Sequence, residues 1–314
     1  MNAMEFACDA VQKAAVESAA QWLGSHVKSS LASWLMVDAA LLESTRLSSV
    51  VIAAGSQCVN SLGRSPLAVF GDAAPQLVAV RDEAHAMELL SRLAFRDRTT
   101  PGFSFFVSAA SISELQNLFG YLALPVVEGD LELHCRFADT RVLPSLLRTL
   151  SPAQASRVAG VIDEWRWFGR TNDIDRWCAL DVVAQSDNMP DASPRLTLKN
   201  TQFASMLDAS EADTMFSILV DKTPEVVPSE RRGQFHARLR KHLGVATARC
   251  VTQPADRLQF VVLSLTCGEH FDLHPSLEST WKSIRESKTS LTGLMKSWGD
   301  ELWSELQRME AATT

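Results

Sequence analysis

Apolar positions along this chain fall into two rhythms. Short, partly β-branched or aromatic runs bounded by polar, Gly or Pro residues occupy Trp34–Val37, Leu67–Phe70, Gln76–Val80, Phe103–Val107 and Leu131–Phe137, and each predicts a strand. Between them apolar residues return every three to four positions. Asp82–Phe95 carries Leu89, Leu90 and Leu93, and Ser111–Leu122 carries Leu115, Leu118 and Phe119, so both predict helices. An Ala-rich helix is expected ahead of them over Phe6–Leu23. Strands alternating with helices predict an N-terminal α/β domain whose mixed, partly parallel sheet is flanked by helices.

The rhythm changes after Trp165. The polar, Pro-containing stretch Asp187–Pro194 predicts a boundary between residues 1–186 and 195–314. Beyond it the helical period dominates over Asn200–Leu207, Ala212–Val220, Ser229–Leu243 and a long stretch from Pro275 to Glu310, with one strand expected at Leu258–Leu265. The second lobe is therefore expected to be mostly α-helical. In the long last helix Trp281, Ile284, Leu291, Leu294, Met295, Trp298, Leu302 and Met309 form one apolar stripe.

Composition narrows the partners. A length of 314 residues with 46% hydrophobic and 21% charged residues suits a folded protein of one large or two modest domains. A net charge of −7 disfavours nucleic acid, whose phosphates call for clustered Lys and Arg. Glu5, Asp9 and Glu17 stand where a secretory signal needs positive and then uninterrupted apolar residues. No apolar run approaches the roughly 18 residues of a membrane span, so a cytoplasmic protein without a membrane partner is expected. Six cysteines form no CxxC pair, which predicts that most are buried, reduced thiols.

Catalytic signals are sparse. No GxSxG, GxxxxGK[ST] or GxGxxG motif occurs, and no cofactor is called for. His270 and His274, in the segment Cys267–Pro275, have the four-residue spacing of a helical metal grip. Gly268 and Pro275 argue against the helix that would give that spacing meaning, and no metal is expected. A hydrolase site near these histidines stays open as an alternative. The basic run Arg231, Arg232, Arg238, Arg240 and Lys241 lies on a predicted helix with Phe235, Leu239 and Leu243 on its apolar face, which reads first as a solvated face and second as a seat for an acidic protein.

The stretch His134–Trp167 has the most distinctive order. Arg136, Phe137 and Asp139 are followed by Arg141, Val142 and Leu143, a short Leu-rich helix, Ser151-Pro152 with Gln154, then Gly160, Trp165 and Trp167. Asp139 is positioned to pair with Arg136 and Arg141 and so to pin the turn into the next helix, with Pro144 in that helix's first turn. No catalytic chemistry requires this order. It resembles the adaptor-chaperones of bacterial type VI secretion, which load effectors onto the VgrG spike. Further segments match in sequence order: Trp34, Val37, Asp38, Ala39 and Ala40; then Ser65–Val80 with Pro75 and Leu77; then Gly102–Phe119. Where that family usually has an aromatic before the Asp and a Pro after it, this chain has Ala138 and Thr140.

The resemblance, which covers about the first 170 residues, implies a cytosolic adaptor that catalyses nothing and binds two proteins, an effector and a VgrG spike. Trp34, Asp38, Arg136, Phe137, Asp139, Arg141, Trp165 and Trp167 are its candidate binding or hallmark residues, with a structural role open for each and favoured for Asp139 and Arg141. Trp165, Trp167 and Trp177 would be binding anchors if solvent reaches them. A structural subunit of a secretion assembly is a further alternative.

Overall fold

A computed structural model describes residues 5–26, 30–42, 44–94, 101–171, 173–183, 189–286 and 289–311. In chain order the elements are α1 (Lys13–His26), β1 (Ala32–Val37), α2 (Ser44–Ala53), β2 (Cys58–Asn60), β3 (Gln76–Val80), α3 (Glu83–Ala94), β4 (Phe103–Ser108), α4 (Ile112–Ala123), β5 (Val126–Val127) and β6 (Leu131–Glu132). There follow α5 (Leu143–Thr149), α6 (Pro152–Ala159), β7 (Glu164–Phe168), β8 (Ile174–Cys178), α7 (Ala179–Val183), β9 (Thr197–Leu198) and α8 (Asn200–Lys222). The remainder is α9 (Arg232–Ala248), α10 (Pro254–Thr266), α11 (Glu278–Arg285), α12 (Leu291–Met295) and α13 (Asp300–Ala311). No helix among the described residues is long and apolar enough to cross a membrane.

Two compact units divide the chain. One comprises Cys8–Ser210, the other Met1–Ala7 with Glu211–Thr314, so the division falls inside α8. It lies downstream of the Asp187–Pro194 stretch because β9 still pairs with β5, which ties residues 197–198 to the first unit. Asp187 and Asn188 themselves lie outside the described residues, as does Phe95 at the end of the helix expected over Asp82–Phe95.

The Cys8–Ser210 unit is built on a six-stranded sheet of order β2-β3-β1-β4-β7-β8. Its α/β character is as expected, but every ladder in this sheet is antiparallel. The one parallel ladder pairs β5 with β9 in a small second sheet. The expectation of a partly parallel main sheet fails for a topological reason. β3 and β4, joined through α3, run the same way, yet β1 sits between them and runs opposite to both. A helical crossover that skips one strand leaves a slot which an antiparallel strand fills.

Alternation along the central strands feeds two cores. Trp34 and Met36 of β1, Leu77 of β3, Phe106 of β4 and Trp165 and Trp167 of β7 face one side, where α4, α5 and α6 supply Leu115, Phe119, Leu146 and Val158. Leu35, Val37, Val78, Phe105 and Phe168 face the other, against Leu23 of α1, Leu47 of α2 and Leu89 and Leu90 of α3. Burial on both faces explains why β1 reads as a continuous apolar run. α4 and α6 start with capping boxes, Ser111 with Glu114 and Ser151 with Gln154.

Several local expectations are corrected. The Phe6–Leu23 helix begins only at Lys13; ahead of it the chain is not helical, and the Asp9 N–H donates to the Arg170 carbonyl at 2.8 Å. Leu67–Phe70 is not a strand but lies in a 3₁₀ stretch, Pro66–Ala73, started by Pro66 and capped by Ser65, whose Oγ accepts from the Leu67 N–H at 3.2 Å. Leu131–Phe137 keeps only Leu131–Glu132 in a strand.

The unit holding Glu211–Thr314 is helical, as expected. Leu258–Leu265 belongs to α10, which Pro254 starts and Asp256 favours in its first turn, so the expected strand is a helix. Asn200–Leu207 and Ala212–Val220 are one helix, since no breaker separates them. The Ser229–Leu243 helix is Arg232–Ala248. The long last helix is instead α11, α12 and α13, interrupted where Ser290 caps α12 through the Gly293 N–H at 3.0 Å and again at Gly299.

Candidate functional site

Asp38 leaves the end of β1 and Asp139 opens the turn into α5, and both carboxylates are buried, at 3% and 2% side-chain exposure. A buried carboxylate demands partners. Asp139 takes Arg141 in a forked grip: Oδ1 accepts from Nε at 3.0 Å and from the Arg141 backbone N–H at 2.9 Å, and Oδ2 accepts from Nη2 at 2.6 Å. The expected pairing of Asp139 with Arg136 is not made. Arg136 instead donates through Nη2 to Asp38 Oδ2 at 2.8 Å, a contact spanning 98 residues of sequence. Asp38 Oδ1 also accepts from the Ala40 N–H at 3.1 Å. The two acids thus take one Arg each, and Arg136 ties the hallmark turn to the central strand. Arg136 keeps 40% of its side chain exposed, against 23% for Arg141.

Phe137 points the other way, into the core. Its ring stacks on Phe119 at 5.3 Å, Phe119 meets Trp165 edge-on at 5.8 Å, and Phe106 lies 5.8 Å from Trp165 and 6.5 Å from Trp34. Solvent does not reach Trp165, which is 0% exposed, and Trp167 at 5% and Trp34 at 8% are also core. These tryptophans therefore support the platform from beneath and cannot serve as surface anchors. Trp177 is half-buried and packs against the same core.

Above this aromatic floor opens a cavity of about 320 Å³, walled by Asp38, Leu62, Phe70, Pro75, Cys135 and Arg136 among others. Phe70 stacks on His134 at 6.0 Å on its rim. Phe70 is 49% exposed and its neighbour Val69 85%, large apolar side chains held out in water. The turn that carries them is hydrogen-bonded to two side chains. Asn60 Nδ2 donates to the Ala68 and Gly71 carbonyls at 3.4 Å, and Gln76 Nε2 donates to those of Gly71 and Ala74 at 3.1 and 2.9 Å. Gly71 at φ 52° kinks the stretch directly after Phe70, a conformation glycine adopts at little cost. Sequence reasoning missed Val69 and Phe70, because an apolar run of that length also describes a buried strand.

Cys135 lies in the cavity wall next to a histidine. Burial, with a smaller contribution from Asp139, pushes its thiol up to about 12, so it holds its proton near neutral pH and is a poor nucleophile.

The other candidate chemistry is far simpler than its sequence suggests. His270 and His274 flank a 3₁₀ turn, Phe271–Leu273, and share no helical face. His274 Nδ1 accepts from the Ser276 N–H at 3.3 Å, and its Nε2 lies 3.5 Å from Glu305. Among the described residues no group of three or more His, Cys, Asp or Glu side chains is placed to hold a metal. In the basic run, Arg238 and Lys241 close on Glu269 at 3.3 and 2.7 Å, while Arg232 reaches Glu5 at 2.6 Å.

Residues 33–157 match a family model described as Domain of unknown function (DUF4123). That span contains Trp34, Asp38, Arg136, Phe137, Asp139 and Arg141, and it contains every residue that walls the cavity; Trp165 and Trp167 lie beyond it. No curated protein and no solved structure matches the chain.

Proposed function

We propose that this chain is an adaptor-chaperone of type VI secretion that binds an effector and hands it to the VgrG spike, without catalysing a reaction. The observation that carries the reading is the apolar cavity beside Arg136, with Val69 and Phe70 presented at its edge on a clamped turn. Support also comes from the match of residues 33–157 to a domain family associated with such adaptors. Exposed aromatic and aliphatic groups held in a fixed conformation suit protein recognition, since little ordering entropy is lost when a partner covers them.

In this account an apolar side chain of the effector enters the cavity and Phe70 closes over it, while Arg136 contributes its remaining donors at the rim. The Asp139–Arg141 grip shapes the turn and does not itself touch the partner. Cytoplasmic action before secretion follows from the same reading.

The test is affinity purification of the tagged chain from its source cells, with mass spectrometry of what accompanies it. Recovery of an effector and a spike protein is expected, and Phe70→Asp with Val69→Asp should lower effector recovery by about tenfold, the loss typical of a central apolar contact. Recovery of this chain alone from cells that express both partners would overturn the reading.

A further inference from the structure

A second concavity, of about 730 Å³, shares no wall residue with the first. We propose that this cleft, lined by Arg64, Tyr121, Arg157 and Arg195, receives an extended acidic segment of a partner protein. The inference goes beyond the adaptor reading and does not need it.

Charge is the first argument. The chain carries −7 overall, yet three arginines line this cleft against one lining acid, Glu132, and with Asp191 on Tyr121 counted the arginines remain in excess. A basic cleft on an acidic protein attracts an acidic segment locally while the rest of the surface repels it, which favours docking in one place.

The second argument is that the wall of the cleft already holds one carboxylate and two backbone carbonyls of its own chain. Asp191 places Oδ2 2.6 Å from the Tyr121 hydroxyl, which donates to it. Arg157 Cζ lies over the Tyr121 ring, 3.9 Å from its centroid, and the guanidinium donates to the backbone carbonyls of Asp191, at 3.2 Å, and of Ser193. A carboxylate on a hydroxyl and carbonyls on a guanidinium are how an extended acidic strand is held. Burial, then the Asp191 contact, pushes the Tyr121 hydroxyl up, so it stays a donor at any physiological pH.

The third argument is that the basic lining extends past these contacts. Arg64 is exposed, with one long 3.4 Å contact to Ser113 Oγ. Arg195 pairs with Glu132, but both side chains are exposed, at 44% and 66%. Exposed pairs of this kind are weak and screened by solvent, so an incoming carboxylate can displace Glu132.

The probe is fluorescein-labelled hexaglutamate, with hexaglutamine as its uncharged counterpart, read by anisotropy against the full chain at about 50 mM salt, where screening is weak. Saturable binding of hexaglutamate alone is expected. Arg64→Glu with Arg195→Glu should weaken it by about tenfold or more, whereas Arg240→Glu with Arg285→Glu, an equal charge change on exposed arginines elsewhere, should weaken it less than about twofold. Circular dichroism confirms that each variant is folded. Absence of saturable binding, equal weakening by both double variants, or tighter binding of a single-stranded oligonucleotide at the same arginines would each overturn the proposal.

Discussion

Replacing Arg141 with alanine should destabilise the Cys8–Ser210 unit more than replacing Arg136, although both arginines bind buried carboxylates. Arg141 supplies two side-chain donors to Asp139, and its side chain is mostly buried. Its loss leaves a carboxylate of 2% exposure with the Arg141 backbone N–H as the donor that remains. Breaking a buried pair from one side costs about 3–5 kcal/mol, and because 23% of the Arg141 side chain is exposed we expect the low end, about 3 kcal/mol. Arg136 is more open, and Asp38 keeps the Ala40 N–H, so about 1–2 kcal/mol is expected there. Urea unfolding of the full chain, with hydrogen exchange read on peptides over 103–108 and 164–168, isolates this unit from the helical one. At a slope near 3 kcal/mol per molar urea, Arg141→Ala should shift the midpoint down by about 1 M. The double variant Asp139→Asn, Arg141→Ala should recover part of the loss, because no buried charge remains. Wild-type stability for Arg141→Ala, an equal loss for Arg136→Ala, or simple addition in the double variant would each refute this account.

Two further outcomes are expected. His242 in α9 is 1% exposed, and its Nε2 has no hydrogen-bond partner among the described residues. Burial lowers its pKa from 6.5 to about 4, opposed by Glu269 and Asp272 and reinforced by Arg238 and Lys241. The unfolded chain therefore binds the proton more readily than the folded one, so the contribution is complete above pH 6.5 and is lost as pH falls towards 4. About 2 kcal/mol should disappear between pH 7 and 5, and His242→Leu should flatten that slope in urea titrations; an unchanged slope would show the acid sensitivity arises elsewhere. Gly24, near the end of α1, packs so closely on α3 that a Cβ there would lie 2.5 Å from Glu83 Cβ and 2.8 Å from its backbone. Gly24→Ala should lower the melting temperature by about 3 °C, overpacking outweighing the gain in helix propensity, and a raised melting temperature would contradict the close approach.

What could be read from the chain follows the range of the interactions. β1, β3 and β4 were visible because strands buried on both faces leave unbroken apolar runs, and α3 and α4 because Leu89, Leu90, Leu115 and Leu118 repeat at helical spacing. Runs such as Leu67–Phe70 and Leu258–Leu265 satisfy strand and helix alike, and Pro66 and Pro254 decided them. Strand direction was invisible, since it depends on β1 filling the slot between β3 and β4. At the site, Asp139 and Arg141 are two residues apart and their pairing was legible. Arg136 also stands close to that acid in sequence, whereas Asp38, its actual partner, is 98 residues away. The cavity was hidden for the same reason, being assembled from residues 38–40, 62–75 and 134–137.

The placement of β1 also sets a timetable for synthesis. The central strand leaves the ribosome before either of its neighbours, with five of its six residues destined for burial. Its first partner, β3, is complete at Val80 and its second, β4, only at Ser108. At about 5–20 residues per second, the roughly 70 residues between Val37 and Ser108 take about 4–14 seconds. For that interval Trp34, Leu35, Met36 and Val37 offer a bare strand edge to any other nascent chain, so dense polysomes are where this protein is most exposed to misassembly.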